Sequence, residues 1–503
     1  MDVNAIGGAG VAGAGGSGAV GHRRALCWVR RDLRLRDHRA LFEACEAADE
    51  VAVVFVFDSE ILGELKDSAD TRVTFIHRSL VEMDSKLRAM GSRLICVYGN
   101  PVELIPDLAK KLGATLVVAS HDLEPYAMAR DGEMKGRLAA DGVDMVTFKD
   151  HVVFESGEVM NQAGLPFRVY TPYSKTWRAN FVEGVHAAEY VPNYERLVGL
   201  EALNELLVDG GRDGIPTLES MGFVEAEPWL PAGEDAAHER MAWFDSKMGA
   251  YKELRDFPAI EGTSGMSAHL RFGTISVREL VRAALRKVDS GVDVVGADKW
   301  LAEVIWRDFY HDILGNFPRV VEMTFSPLYE AMVWPGSESE RAEELYVAWE
   351  EGRTGYPIVD AAMRCLNQTG WMHNRLRMVV ASFLTKHLLI DYRLGEAHFA
   401  RKLLDFDLAC NNGGWQWAAS VGCDAQPYFR VFNPYLQSKK FDSDGTFIRQ
   451  WVPEIASLSG ELIHEPTLSD CRLLGYPSPI VDHSTARDEA IKLFKSYAPP
   501  EMA

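Results

Sequence analysis

No Cys-x-x-Cys pair occurs among the seven cysteines (Cys27, Cys45, Cys96, Cys365, Cys410, Cys423 and Cys471), and their number is odd. This pattern argues against a disulfide scaffold and predicts no zinc site. It reads as reduced cytosolic thiols, buried as small hydrophobes. No apolar run is long enough to cross a bilayer. The first 21 residues contain no Lys or Arg, which a signal or transit peptide needs. A disordered Gly/Ala-rich tail over 1–23 and a cytoplasmic location are therefore expected. No internal repeat is evident. Positive charge is also short: 53 Lys+Arg stand against 73 Asp+Glu, a net −20. Taken over the whole chain, that balance argues against nucleic acid, whose phosphates reward Lys and Arg.

What is present is an ordinary globular composition. The chain has 503 residues, 47% apolar and 25% charged. At roughly 100–200 residues per domain this predicts two to four domains. Short apolar strands are predicted at Ala25–Val29, Val51–Phe57, Arg93–Tyr98, Thr115–Ala119 and Met145–Phe148. Amphipathic stretches near 38–48, 72–90, 101–112 and 126–141 separate them. Such alternation predicts βαβ units and a parallel sheet, an α/β, Rossmann-like domain over 24–152. The segment lacks the dinucleotide fingerprint Gly-x-Gly-x-x-Gly; a ligand here would sit at the carboxyl ends of the strands.

Residues 153–230 show few periodic patterns and read as a connector wrapping the surface. From 231 to 496 the pattern is helical, with candidates at 235–249, 265–272, 276–288, 297–315, 341–351, 357–368, 371–389, 394–404 and 412–420. A large all-α domain is expected there, then a short tail over 497–503. Twelve tryptophans are present. A stacked planar ligand and an ordinary aromatic core both account for them.

Four segments carry candidate chemistry. Gly262-Thr263-Ser264-Gly265-Met266-Ser267 enters a predicted helix; its hydroxyls suit either a simple N-cap or a phosphate contact. In the helix that follows, Trp300, Glu303, Arg307 and Tyr310 fall at i, i+3, i+7 and i+10, with Trp306 beside them. A carboxylate and a guanidinium on an aromatic stripe are costly to bury unless paired or used. Trp371, Asn374, Arg375 and Met378 are expected to share one helical face. Asn and Arg between Trp and Met suit an edge-reading, phosphate-holding pocket. Finally, Asp405-Phe-Asp407 precedes Asn411-Asn412-Gly413-Gly414-Trp415-Gln416-Trp417, where the glycines allow close backbone approach.

Together these segments resemble the photolyase/cryptochrome family, and within it the class I, bacterial-type cyclobutane pyrimidine dimer DNA photolyases. The resemblance spans about 24–496. It is densest in TGYPIVDAAMRCLNQTGWMHNRLRMVVASFLTKHLLID and NNGGWQWAAS. It implies FAD folded in a U shape within the helical domain. Tyr251, Thr263, Ser264, Gly265, Met266 and Ser267 match phosphate-side contacts. Trp300, Asn374, Arg377, Asp405 and Asp407 match residues around the flavin and ribose, with Arg377 and Asp405 as a buried ion pair. Asn411 matches the residue facing flavin N5, a position usually Asp in plant-type cryptochromes.

The resemblance further implies a thymine dimer flipped from DNA over the flavin. Trp306 and Trp417 match its aromatic walls, and Glu303 the carboxyl that hydrogen-bonds a thymine carbonyl. Asn374 and Met378 match further dimer contacts; Arg255, Arg307, Arg375 and Gln437 match contacts to the DNA strand. The implied reaction is light-driven electron transfer from reduced FAD to the dimer, ring splitting and electron return. Alternatives are a cryptochrome-type blue-light receptor without repair activity and a (6-4) photolyase. Asn374 and Met378 favour dimer repair, because (6-4) enzymes use a His-His pair where this chain has His373 followed by Asn. A second, antenna chromophore (deazaflavin, FMN or methenyltetrahydrofolate) is expected in the α/β domain. The implied protein is a monomer acting on dimer-containing DNA, with no membrane partner.

Charge is unevenly spread. Residues 181–260 hold 16 acidic and 6 basic side chains, whereas 360–450 hold 11 basic and 8 acidic ones. A modest basic rim on an anionic body is therefore expected, with DNA affinity steeply dependent on salt. One position departs from the family. Its three-tryptophan electron path would run through Trp415 to Tyr392 and then Trp334, the last matched only across an insertion within 335–348. Tyrosine is harder to oxidise unless it loses its proton. Tyr392→Trp is thus expected to speed photoreduction of oxidised FAD, followed by absorbance under illumination; equal rates in the two proteins would refute this.

Overall fold

The structure, a computed structural model, describes residues 22–206 and 214–497. The expected amino-terminal tail, but for His22 and Arg23, and the expected carboxyl-terminal tail after Tyr497 lie outside the described residues. His22 and Arg23 belong to the first strand, which begins three residues before the predicted Ala25.

Five strands, β1 (His22–Val29), β2 (Ala48–Asp58), β3 (Leu94–Gly99), β4 (Leu116–Ser120) and β5 (Asp144–Phe148), pair in parallel in the order β3-β2-β1-β4-β5. Parallel strands covered on both faces read as unbroken apolar runs, as in Leu-Val-Val-Ala-Ser of β4, which is wholly buried. Helices α1 (Arg39–Ala47), α2 (Thr71–Ala89), α3 (Pro101–Leu112) and α4 (Pro125–Ala140) make the crossovers. Asp70 and Asn100 cap α2 and α3 through side-chain oxygens, which fixes where each crossover begins.

The stretch 153–230 differs from the expected connector. It contains α5 (Tyr170–Asn180), which buries Tyr173 and Trp177. Tyr170, Tyr173 and Trp177 stand at i, i+3 and i+7, a helical stripe masked by the surrounding Gly and Pro.

The helical body is built from α6 (Glu234–Asp245), α7 (Val277–Asp289), α8 (Val294–Asn316), α9 (Pro357–Thr369), α10 (Asn374–Ser382), α11 (Tyr392–Lys402), α12 (Leu408–Ala418) and α13 (Pro434–Phe441). The single helix expected over 371–389 is shorter. His373 caps it by accepting from the Arg375 amide at 3.1 Å, and a π-helical turn, Phe383–His387, follows Ser382. Trp371 therefore precedes the helix and does not share its face with Asn374, Arg375 and Met378 as expected. All seven cysteines are free, and all but Cys410 are fully buried. Among the described residues, no helix is long and apolar enough to cross a membrane.

Loops at the carboxyl ends of β1 and β5 are the ground on which the helical body stands. Arg34, after β1, donates to Asp150 after β5 at 2.7 Å. Arg278 of α7 donates to Asp150 at 2.9 Å and to Asp37 at 2.9 Å. All four side chains are almost fully buried. Burial alone would raise the Asp37 and Asp150 carboxyls, but Arg34 and Arg278 hold both below the ordinary carboxylate value. Gly273 marks the tightest approach: it adopts a φ of +66°, and a Cβ there would lie 1.9 Å from the Arg31 carbonyl oxygen.

Removing one member of such a network strands a buried charge. Arg278→Met is expected to cost about 3–5 kcal/mol of unfolding free energy, read by chemical denaturation. Because the carboxyl pKa values are depressed, this stabilisation is present above about pH 4 and lost as pH falls further. A cost below about 1 kcal/mol, the range of exposed pairs, would refute the account.

Candidate active site and flavin cavity

A cavity of about 520 Å³ opens between α8, α10, α12 and the helix Met266–Phe272. Helical spacing explains its lining. Trp300, Glu303, Arg307 and Tyr310 of α8 turn toward it, with Trp306 alongside; Asn374, Arg375, Arg377 and Met378 come from α10; Asn411, Trp415 and Trp417 come from α12. Tyr251, Arg255, Ser264, Met266, Ser267, Asp405 and Asp407 complete the sequence-derived residues in the lining.

At one end of the cavity, Arg377 donates to Asp405 at 2.8 Å and to the Met372 carbonyl at 2.8 Å. Asp405 is buried. Asn411 donates its amide nitrogen to the Glu396 carbonyl at 3.1 Å. Its side-chain oxygen keeps no protein donor among the described residues. Behind it, Asn412 donates to the Glu396 carboxyl at 3.0 Å. Burial pushes that carboxyl up to about 7, only partly offset by the Asn412 amide.

At the other end, Trp300 donates to Ser264 Oγ at 3.3 Å. Arg240 of α6 ties down the same loop, donating to the Ser264 carbonyl at 2.8 Å and the Thr263 carbonyl at 3.3 Å. Thr263 and Gly265 shape this loop without lining the cavity; Gly265 has a φ of +72°. On the remaining wall, Trp306 stacks on Tyr170 at 3.7 Å between ring centroids and 6° between planes.

Several residues have partners that the sequence did not suggest. Arg307 donates to the His151 carbonyl, and its Nη2 is buried without a partner. Arg307 lines the cavity and also links the two halves of the chain. Gln437, on α13, lies outside the lining with a buried, unpartnered Oε1. Asp407 accepts from Arg31 at 2.7 Å and caps α12 through the Cys410 amide at 3.1 Å. Burial would raise its carboxyl, yet His311 and Arg31 hold it well below the usual range. Gly413 leaves room for the Tyr310 ring, 2.1 Å from where a Cβ would stand; Gly414 is the glycine that lines the cavity.

Tyr392 and Trp334 lie outside the lining with ring centroids 6.3 Å apart. The ring neighbours of Trp415 are Phe399 at 5.0 Å and Trp349 at 6.0 Å. His311, Asp407 and Cys410 bring possible metal ligands within 4.8 Å of one another. The Arg31 guanidinium already occupies Asp407, which disfavours a second cation there.

A family model described as DNA photolyase matches residues 25–192, and one described as FAD binding domain of DNA photolyase matches 300–496. The deoxyribodipyrimidine photo-lyase of Vibrio cholerae is 38% identical over 482 residues, covering 94% of this chain and 99% of that protein. The chain belongs to the DNA photolyase family. Among solved structures it is similar to a bacterial class III photolyase from Agrobacterium tumefaciens, with TM-score 0.82, 33% identity and coverage of 96% of this chain and 99% of that one. It is also similar to an archaeal photolyase from Sulfolobus tokodaii with two FAD molecules, with TM-score 0.76, 30% identity and coverage of 94% and 100%.

FAD is the cofactor of this domain, and the cavity fits it. The Asn411 carbonyl is free to accept from a ring N–H. Arg377 and Asp405 offer a paired charge at a ring edge. The Ser264 and Ser267 hydroxyls suit phosphate oxygens.

Glu396 gives this site a pH signature. Its folded carboxyl holds a proton up to about pH 7, whereas the unfolded one releases it near 4.5. Stability therefore falls as pH rises between those values. Asp312, also pushed up to about 7 by burial, adds to the slope. Glu396→Gln is expected to flatten the fall in unfolding free energy between about pH 4.5 and 7; an unchanged slope would show that the carboxyl is not the source.

Proposed function

We propose that this protein repairs cyclobutane pyrimidine dimers in DNA with light absorbed by FAD in the central cavity. The observation that carries the reading is the convergence of Glu303, Trp306, Asn374, Met378 and Trp417 on the cavity that also holds Arg377, Asp405 and Asn411. When bound, photo-excited reduced FAD supplies an electron that splits the dimer and then returns, with no net redox change.

The side chains act by position and electrostatics. Trp306, braced by Tyr170, and Trp417 offer flat faces to a flipped dimer. Asn374 and Met378 fill the remaining edge. A flipped thymine presents an imide N–H beside its carbonyls, and the Glu303 carboxylate accepts from that N–H on leaving Arg255 and Lys299, which hold it in the free protein. Asn411 offers N5 an acceptor and no acid proton, which favours a flavin kept fully reduced. The same residues support the bacterial-type, class I site over a (6-4) site. His373 is spent as the α10 cap, and burial lowers its ring to about 4, so it stays neutral and outside the lining.

An antenna chromophore is assigned to the sheet domain, in a cytoplasmic protein. Asp122 and Glu124, in the loop after β4, are already paired with Arg31 at 3.5 and 3.0 Å, which leaves less of that loop for a pigment.

Illumination of the reduced protein with a dimer-containing oligonucleotide should restore the thymines, read by chromatography of the digested strand. No restoration under blue or near-UV light would leave the cryptochrome reading in its place. Glu303→Ala is expected to lower the repair yield while FAD absorbance is retained; release of FAD would show that Glu303 serves the cofactor instead.

A further inference from the structure

Five charged side chains of alternating sign run along the cavity rim. Lys299 lies 3.0 Å from Glu303, and Glu303 is paired with Arg255. Arg255 stands 3.9 Å from Asp256, and Asp256 accepts from Arg375 at 2.9 Å. Lys299, Glu303, Arg255 and Arg375 line the cavity, while Asp256 stands just outside it. The Asp256 side chain is 34% exposed, so solvent reaches it. Arg375 is seated over the Phe441 ring at 4.3 Å, which holds its guanidinium at the rim.

The two arginines at the cavity mouth are thus both occupied by carboxylates. A phosphate approaching Arg255 competes with Glu303 on one side and Asp256 on the other. Undamaged duplex, whose bases stay stacked, offers nothing to draw Glu303 away. A flipped dimer does, because its imide N–H, freed from base pairing, donates to Glu303 inside the cavity. Arg255 then loses its nearest partner and becomes free for the DNA backbone.

We propose that Glu303 and Asp256 shield Arg255 and Arg375 from phosphate, and that engagement of Glu303 by the lesion unlocks Arg255 for the strand. Asp256 is in this scheme a specificity-determining residue. Glu303 gains a second role, coupling recognition of the base to recognition of the backbone. Phosphate contacts are the sequence-independent part of DNA binding, so hiding them until a lesion arrives suppresses attachment to the undamaged excess. The inference rests on the dimer-repair reading.

The test is dark binding of full-length, FAD-loaded protein to a labelled duplex with and without one thymine dimer, across salt. Wild type should prefer the dimer. Its salt dependence should be steeper for the dimer duplex by about one unit of slope, the signature of one extra phosphate contact. Asp256→Asn and Glu303→Gln should each tighten binding to undamaged duplex by roughly fivefold, the scale of a half-exposed ion pair. A Glu303 that only contacts the lesion would leave undamaged binding unchanged, and an Asp256 that only props up Arg375 would weaken it. Either result in both variants, or equal salt slopes in wild type, overturns the shielding. If one variant loses FAD or fails to fold, the other and the wild-type slopes still decide. Absence of any dimer preference in wild type would instead overturn the repair reading beneath it.

Discussion

Burial of charge between the sheet and the helices is the constraint on which the rest of this structure depends. Arg34, Asp37, Asp150 and Arg278 are tolerable in the interior only while each keeps its opposite partner. An apolar junction of similar size could slide; this one has a single arrangement. Arg31 with Asp407 repeats the device three residues earlier in the chain, joining the loop after β1 to the residue that caps α12. The helix bearing Asn411, Trp415 and Trp417 is thereby anchored to the sheet. The cavity owes its shape to a contact outside it.

This dependence reverses the usual use of a parallel sheet. In doubly wound folds the carboxyl ends of the strands, near the switch in strand order, form the ligand crevice. Here the loops after β1 and β5 are largely committed to holding another part of the chain. The sheet acts as a base, and chemistry moves to the helices it supports. Gly273 shows how closely the two are fitted, since the backbone of one nearly touches the other.

The fold was legible where a local rule sufficed. The strands showed as apolar runs, and the α8 stripe from Trp300 to Tyr310 turned to one side as helical spacing requires. Trp371 was misplaced because His373 ends the helix through a side-chain cap that periodicity does not register. Tyr170 and Trp177 were missed because their stripe sits in a segment whose composition reads as loop. The structural attachments of Arg307 and Asp407 were not legible, because their partners, His151 and Arg31, are 156 and 376 residues away. Arg240, Asp256 and Glu396 carry no motif of their own. Their parts follow from what they touch, and only the folded chain brings those partners near.

The alternating rim also changes what the net charge of −20 means for encounter in solution. A body that repels a polyanion, with three cations against two carboxylates at one mouth, carries its charge asymmetrically, as a dipole. Near DNA that dipole feels a torque, which turns the mouth toward the helix before contact. Collisions in other orientations end in repulsion. The acidity that seemed to argue against a nucleic-acid partner then serves to aim the molecule at one.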